Sequence, residues 1–316
     1  MSEKVYIPGN TGLLGSEVSA CFKRNNYDVI EVESTKLNLQ KSLDTYNFIA
    51  RVKPDGIVFC AGRVGGIREN QTNSLDMFYE NSKIQYSVLE AALRLNIQKL
   101  IFISSAAVYP AMKSNCSELD IWKGEPSPEH IQYALAKISG MSFVKNVRDL
   151  KKFNWISLIP TNIYGINDNW NKFSGHVIGS LINKIISARD NNEKSVNVWG
   201  SGNASREFLY AKDAAEAIFM SYKGLENSSR DRYNLTSGYR ATIKEIAEMI
   251  KELAGYHGTL IYDSSMPEGP LNRNLSSDWL NSFIDWKPET FIRDGLKICI
   301  KHFEKISTKR NSHDSF

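Results

Sequence analysis

Three short stretches of this 316-residue chain carry side chains of the kind that move protons. In "YALAK", Tyr133 and Lys137 stand four residues apart, so on a helix they share one face. A lysine one turn from a tyrosine lowers the phenol's pKa through its charge. A phenol so tuned exchanges a proton with an oxygen whose carbon gains or loses hydride. "ISSAAVYP" reads as the end of a buried strand that delivers Ser105, a hydrogen-bond partner for that same oxygen. Two residues later the turn offers only the methyl group of Ala107. His176, opening "HVI", adds a possible proton carrier, although a lone histidine is more often structural.

The elements that must hold these groups alternate. "KVYIPG", "YDVIEV", "DGIVFCAG" and "KLIFISS" read as strands, separated by helical stretches at Leu14–Arg24, Ser42–Val52 and Asn81–Leu95. Continuous Val/Ile/Phe runs between helices predict an α/β fold with a doubly wound parallel sheet covered on both faces. "WISLIPTNIYG" reads as one more buried strand, Gly175–Arg189 as a helix, and "TIKEIAEMIKELAG" as a helix with a threonine N-cap. Residues 1–160 are expected to form the sheet domain and 161–316 mainly a smaller one, with a segment near 203–225 returning to the sheet.

Between the first strand and helix lies "GNTGLLG", with Gly9, Gly12 and Gly15. Glycines there permit a tight turn, close approach of a pyrophosphate and close helix–strand packing, while the helix N-terminus faces the phosphates. The whole loop, with Asn10, Thr11, Leu13 and Leu14, is therefore a candidate site for a nicotinamide dinucleotide. A carboxylate at the end of the second strand (Glu33, or Glu31 in the shifted register) would accept the ribose hydroxyls of NADH. Lys36 would instead pair with the extra phosphate of NADPH. Either cofactor is compatible with these residues.

Composition narrows the class. Hydrophobic and charged contents of 42% and 23% are those of a globular protein. The net charge of +4, without a Lys/Arg run, gives no sign of nucleic-acid or membrane partners. No apolar run approaches the ~20 residues of a membrane span. Cys21, Cys60, Cys116 and Cys299 are widely spaced and form no CxxC pair, which favours free thiols, no bound metal and a cytoplasmic location.

Taken together, "GNTGLLG", "AGRVGGI", "SSAAVYP", "YALAK", "PTNIYG", "GHVIG", "VWGSG" and "REF" resemble the extended short-chain dehydrogenase/reductases, and within them the GDP-L-fucose synthases, over roughly residues 4–300. The resemblance implies a Rossmann domain binding NADPH or NADH, a smaller C-terminal domain binding a nucleotide sugar, and a homodimer. It also implies a role in deoxysugar biosynthesis for O-antigen or capsule. Ser105, Tyr133 and Lys137 would serve the hydride step, and His176 would donate a proton in epimerisation. Ala61, Gly62, Pro160 and Ile163 would line the cofactor. Val64, Gly65, Asn162 and Ala107 would line the sugar, and Lys184, Trp199, Arg206 and Glu268 would hold the nucleotide. Lys184 stands where the family usually has arginine, which leaves GDP and dTDP both open.

In the fucose synthases the position of Ala107 is a cysteine, the base that removes protons beside the 4-ketone. A methyl group cannot do so, whereas reduction of the ketone needs only hydride, Tyr133 and Ser105. The expectation is a C4-reductase of a nucleotide-linked 4-keto-6-deoxy sugar that has lost C3/C5 epimerisation. An epimerase–reductase would need a substitute base, such as Cys116 or Glu118. Lesser readings are a 4-epimerase or dehydratase, and a dinucleotide-binding protein without catalysis.

Overall fold

The computed structural model describes residues 2–266, 269 and 271–313, with side chains described to residue 307. The first half of the chain runs β1 (Lys4–Tyr6), α1 (Leu13–Arg24), β2 (Asp28–Ile30), α2 (Ser42–Val52), β3 (Gly56–Phe59), α3 (Ile67–Thr72), α4 (Ser74–Arg94), β4 (Lys99–Ile103), β5 (Asn115–Cys116) and α5 (Ile131–Lys151). Then come β6 (Asn154–Pro160), β7 (Asn162–Tyr164), α6 (Val177–Asp190), β8 (Ser195–Trp199), β9 (Ser205–Tyr210), α7 (Ala211–Lys223), β10 (Arg232–Leu235) and β11 (Arg240–Thr242). The last elements are α8 (Ile243–Leu253), β12 (Thr259–Asp263), β13 (Asn274–Leu275), α9 (Asp278–Phe283) and α10 (Ile292–His313).

Among the described residues the main sheet has six strands in the order β10-β6-β4-β3-β1-β2, paired in parallel throughout. Its centre is apolar on both sides: β3 is buried along its whole length and β4 from Leu100 onward. On one face Val5, Ile7, Val58 and Ile156 pack against Phe22 of α1 and Ile218 of α7. On the other, Tyr6, Ile57 and Leu100 meet Ile49 of α2, Val88 of α4 and Val144 of α5. This is the doubly wound α/β arrangement expected from continuous apolar strands between helices.

A third core lies apart, where α6, α8 and α10 pack over β8 and β9. Here β7, β9 and β11 form a small sheet in the order β11-β9-β7, and β12 pairs with β8. The run read as one strand in "WISLIPTNIYG" is thus two strands in different sheets. Thr161 N still bonds Leu235 O of β10, but Asn162 Nδ2 bonds Glu207 O of β9, and the chain changes sheet there. After β9 the chain returns: α7 packs on α1, and β10 extends the main sheet beside β6.

Candidate active site

The strand order reverses between β1 and β3, and the cleft opens at their carboxyl ends, as is general for open α/β sheets. Gly9 leaves β1 with φ of 89°, a left-handed conformation that disfavours other residues. A Cβ there would sit 2.6 Å from Ala61 N, in the turn after β3, and one on Gly15 would collide with Gly9 O. The loop is therefore a bare backbone cradle, and Gly12 caps α1 so that its unpaired N–H groups face the cleft. A dinucleotide pyrophosphate fits this shape, with Thr11, Leu13 and Leu14 also on the wall. Asn10 is turned away, its Oδ1 accepting from Val32 N at 3.3 Å.

Ala61 and Gly62 continue the wall after β3, opposite Pro160 and Ile163. Asn81, buried on α4, fixes this turn: Oδ1 accepts from Arg63 N at 3.0 Å, and Nδ2 donates to Arg63 O at 3.0 Å. Its only sequence signal is an amide on the helix face that also carries Met77 and Val88.

At the end of β4, Ser105, Ala107, Tyr133 and Lys137 come together in the cleft. Ser105 caps the short turn Ala106–Val108, its Oγ accepting from Ala107 N at 3.2 Å. Arg273 ties down the same turn, donating to Ala106 O at 2.9 Å and Tyr109 O at 3.1 Å. Lys137, buried on α5, donates to Ile103 O at 2.9 Å and lies 5.8 Å from the centroid of the Tyr133 ring. Burial lowers Lys137 to about 8. It raises Tyr133 to about 12, against the opposing pull of the Ser105 hydroxyl. Burial sets the direction of the Tyr133 shift in this cleft, and the Ser105 hydroxyl is the group that opposes it.

His176 caps the start of α6 and faces the same cleft. Its Nδ1 lies 3.2 Å from Oδ1 of the buried Asp168. Burial disfavours the imidazolium, but the Asp168 carboxylate outweighs it and the histidine's pKa is raised. Sequence reading passed over Asp168, which is held within the loop by Asn169 N at 2.7 Å. It also passed over His130, a cleft residue at the start of α5. Burial first, and the charges of Arg273 and Arg206, drive His130 down to about 4 against the pull of Glu129.

Further out, Val64, Gly65 and Asn162 line the middle of the cleft, and Lys184, Trp199 and Arg206 the side of the small sheet. Lys184 Nζ stands 4.6 Å from the Trp199 ring centroid, a cation beside a flat stacking surface. Arg206 Nη1 donates to Ser205 O at 2.9 Å. Glu207, also on the cleft wall, is raised to about 7 by burial although it accepts from Gly238 N at 2.6 Å. Glu268 lies outside the described residues.

Besides Asn10, several expected residues are not on the wall, Glu31 among them. Glu33 and Lys36 are exposed on the loop after β2, where Lys36 N and Leu37 N both bond Glu33 O. That turn leaves Ser34, Leu37, Asn38 and Gln40 facing the cleft instead. Neither Cys116 nor Glu118 lines the cleft: Cys116 Sγ points to Lys113 O at 3.4 Å, and Glu118 accepts from Asn234 N at 2.7 Å. Among the described residues no group of three or more His, Cys, Asp or Glu could hold a metal ion, and no helix is long and apolar enough to cross a membrane.

The sequence pattern of the NAD dependent epimerase/dehydratase family matches residues 5–236. A putative GDP-L-fucose synthase 2 of Arabidopsis thaliana is 34% identical over 300 residues, covering 93% of this chain and 90% of its own. A GDP-L-colitose synthase of Yersinia pseudotuberculosis is 32% identical, covering 98% and 99%. A crystal structure described as a GDP-6-OMe-4-keto-L-xylo-heptose reductase from C. jejuni superposes with a TM-score of 0.90 over 98% of both chains. At 23% identity that likeness speaks for the fold.

Proposed function

From a chain that belongs to the NAD dependent epimerase/dehydratase family, we propose a nicotinamide-dependent reductase acting at C4 of a GDP-linked 4-keto-6-deoxy sugar, without epimerisation at C3 or C5. The observation that carries this reading is the turn at the end of β4. It brings Ser105 and Tyr133 to one place and leaves only a methyl group, Ala107, beside them. The sugar-nucleotide names of the curated relatives support a GDP-linked substrate. Lys184 and Arg206 offer charge to its pyrophosphate, and Trp199 a face to its base.

When bound, a reduced nicotinamide cofactor would supply the hydride for C4. Ser105 and Tyr133 hydrogen-bond the ketone oxygen, and Tyr133 gives its proton to that oxygen as negative charge develops there. Burial keeps Tyr133 protonated at neutral pH, the form reduction requires. Lys137, anchored on Ile103 O, keeps positive charge next to the phenol and would hold the nicotinamide ribose.

One observation favours a second reading, in which epimerisation persists: His130 and His176 both face the cleft. An imidazole held at about 4 is, however, a weak base for a carbon acid. A cytoplasmic homodimer completes the proposal. Leu75, Phe78, Tyr79 and Tyr86 are exposed at helical spacing on α4, and Leu135 is exposed on the adjacent α5, a stripe suited to a second copy.

The test is incubation with GDP-4-keto-6-deoxymannose and NADH or NADPH. Stoichiometric cofactor oxidation with one reduced sugar formed is expected. Turnover without net cofactor consumption would instead mark a 4-epimerase.

A further inference from the structure

We propose that the cleft selects NADH over NADPH, with Ser34 as the residue that sets the choice; this rests on the reading of the cleft as a nicotinamide-cofactor site. In a doubly wound fold with a glycine loop after β1, the adenine ribose lies against the end of β2. Here that end of the cleft is walled by Val32, Ser34, Leu37, Asn38 and Gln40. None of them carries a charge.

The difference between the two cofactors is one phosphate group, close to doubly negative at neutral pH, on the 2′ oxygen. Such a group is held by cations or charge-assisted hydrogen bonds. The charges on the loop after β2 do not provide them. Lys36 and Lys41 are exposed and off the cleft wall. Glu31 is occupied with Lys23 at 2.6 Å. Glu33, accepting from Thr35 Oγ1 at 3.3 Å, adds a second carboxylate to the same loop.

Cations on the cleft wall belong to its other parts. Arg63 is paired with Glu69 at 2.8 Å and Glu80 at 2.9 Å. Lys137 is fixed beside Tyr133, and Lys184 beside Trp199. A ribose diol needs only neutral donors and acceptors, which the Ser34 hydroxyl and the Asn38 and Gln40 amides supply. Asn10 holds the loop in register through Val32 N.

The experiment titrates NADH and NADPH separately into the full-length chain, with no sugar present, and follows nicotinamide fluorescence. NADH is expected to bind about tenfold or more tightly, the scale of one unmade charge-assisted interaction. Ser34→Arg is expected to shrink or invert that ratio. Equal or tighter binding of NADPH overturns the proposal. So does Lys36→Ala weakening NADPH more than NADH, because the lysine would then reach the 2′-phosphate. Binding of neither cofactor overturns it together with the reading beneath it. A clear NADH preference in a protein that leaves 4-keto sugars unreduced sinks the reductase reading alone.

Discussion

Tyr133 stands in its cleft as a protonated phenol because burial disfavours the phenolate more than Ser105 can repair. Tyr133→Phe removes the proton donor and little volume, so turnover should fall by about a hundredfold or more while cofactor binding persists. Unchanged turnover, measured as sugar-dependent NADH oxidation, would remove Tyr133 from the mechanism. Lys137 gives a second test. Its buried ammonium titrates at about 8, whereas the unfolded chain keeps the proton up to the ordinary value of 10.5. The cost of this charge is therefore full below pH 8, and stability recovers as pH rises from there toward 10.5. Urea unfolding should show Lys137→Met gaining more over the parent protein at neutral pH than near about pH 10. Much of this residue set is legible in the sequence, since YxxxK on a helix and a strand-end serine have fixed spacings. Asp168 and His130 are not, because only the folded loops bring them to the cleft. Glu33 and Lys36 fall off the cleft wall for the converse reason: which side of a loop faces the cleft depends on its turn, here closed on Glu33 O.

At the scale of elements, the glycine loop is the part whose sequence most directly dictates its shape. Gly15→Ala would drive a methyl group into Gly9 O and spread the loop away from α1. The expected result is loss of cofactor binding by calorimetry with the far-ultraviolet spectrum of the fold retained. Binding at the parent affinity would show that the cradle tolerates a side chain. The central strands were readable because their apolar runs are continuous, and α8 because Thr242 and Glu245 form a reciprocal cap, Glu245 N donating to Thr242 Oγ1 at 3.1 Å. The beginning of α4 was not: the expected start at Asn81 falls one and a half turns or more inside a helix that opens at Ser74. Its first turns expose Leu75, Phe78 and Tyr79, which breaks the pattern of one buried face. The split of β6 from β7 was equally hidden, since Ile163 and Tyr164 resume the apolar run after Thr161 and Asn162 and only the partners differ.

For the whole molecule, the main sheet with a core on each face, the third core and the cleft define the working unit. The cavity of about 760 Å³ runs from the glycine loop to Trp199. The exposed stripe on α4 and α5 is expected to be covered in a dimer, so light scattering should give twice the chain mass of 35.8 kDa. Tyr79→Glu should shift the protein toward the monomer. A monomer in the parent protein would leave the stripe without this role. The doubly wound sheet follows from the alternation of elements in the sequence, whereas surface exposure of a helix face does not.

The central claim is that Ala107 leaves reduction intact and epimerisation without its base. The most direct measurement is NMR of the product formed from GDP-4-keto-6-deoxymannose and NADH in D2O, read at C3 and C5. A C4-reduced sugar with no deuterium at either carbon is expected. Deuterium at C3 or C5 above that in enzyme-free substrate would contradict it. His130→Ala abolishing that label would then identify the base that has replaced the missing thiol.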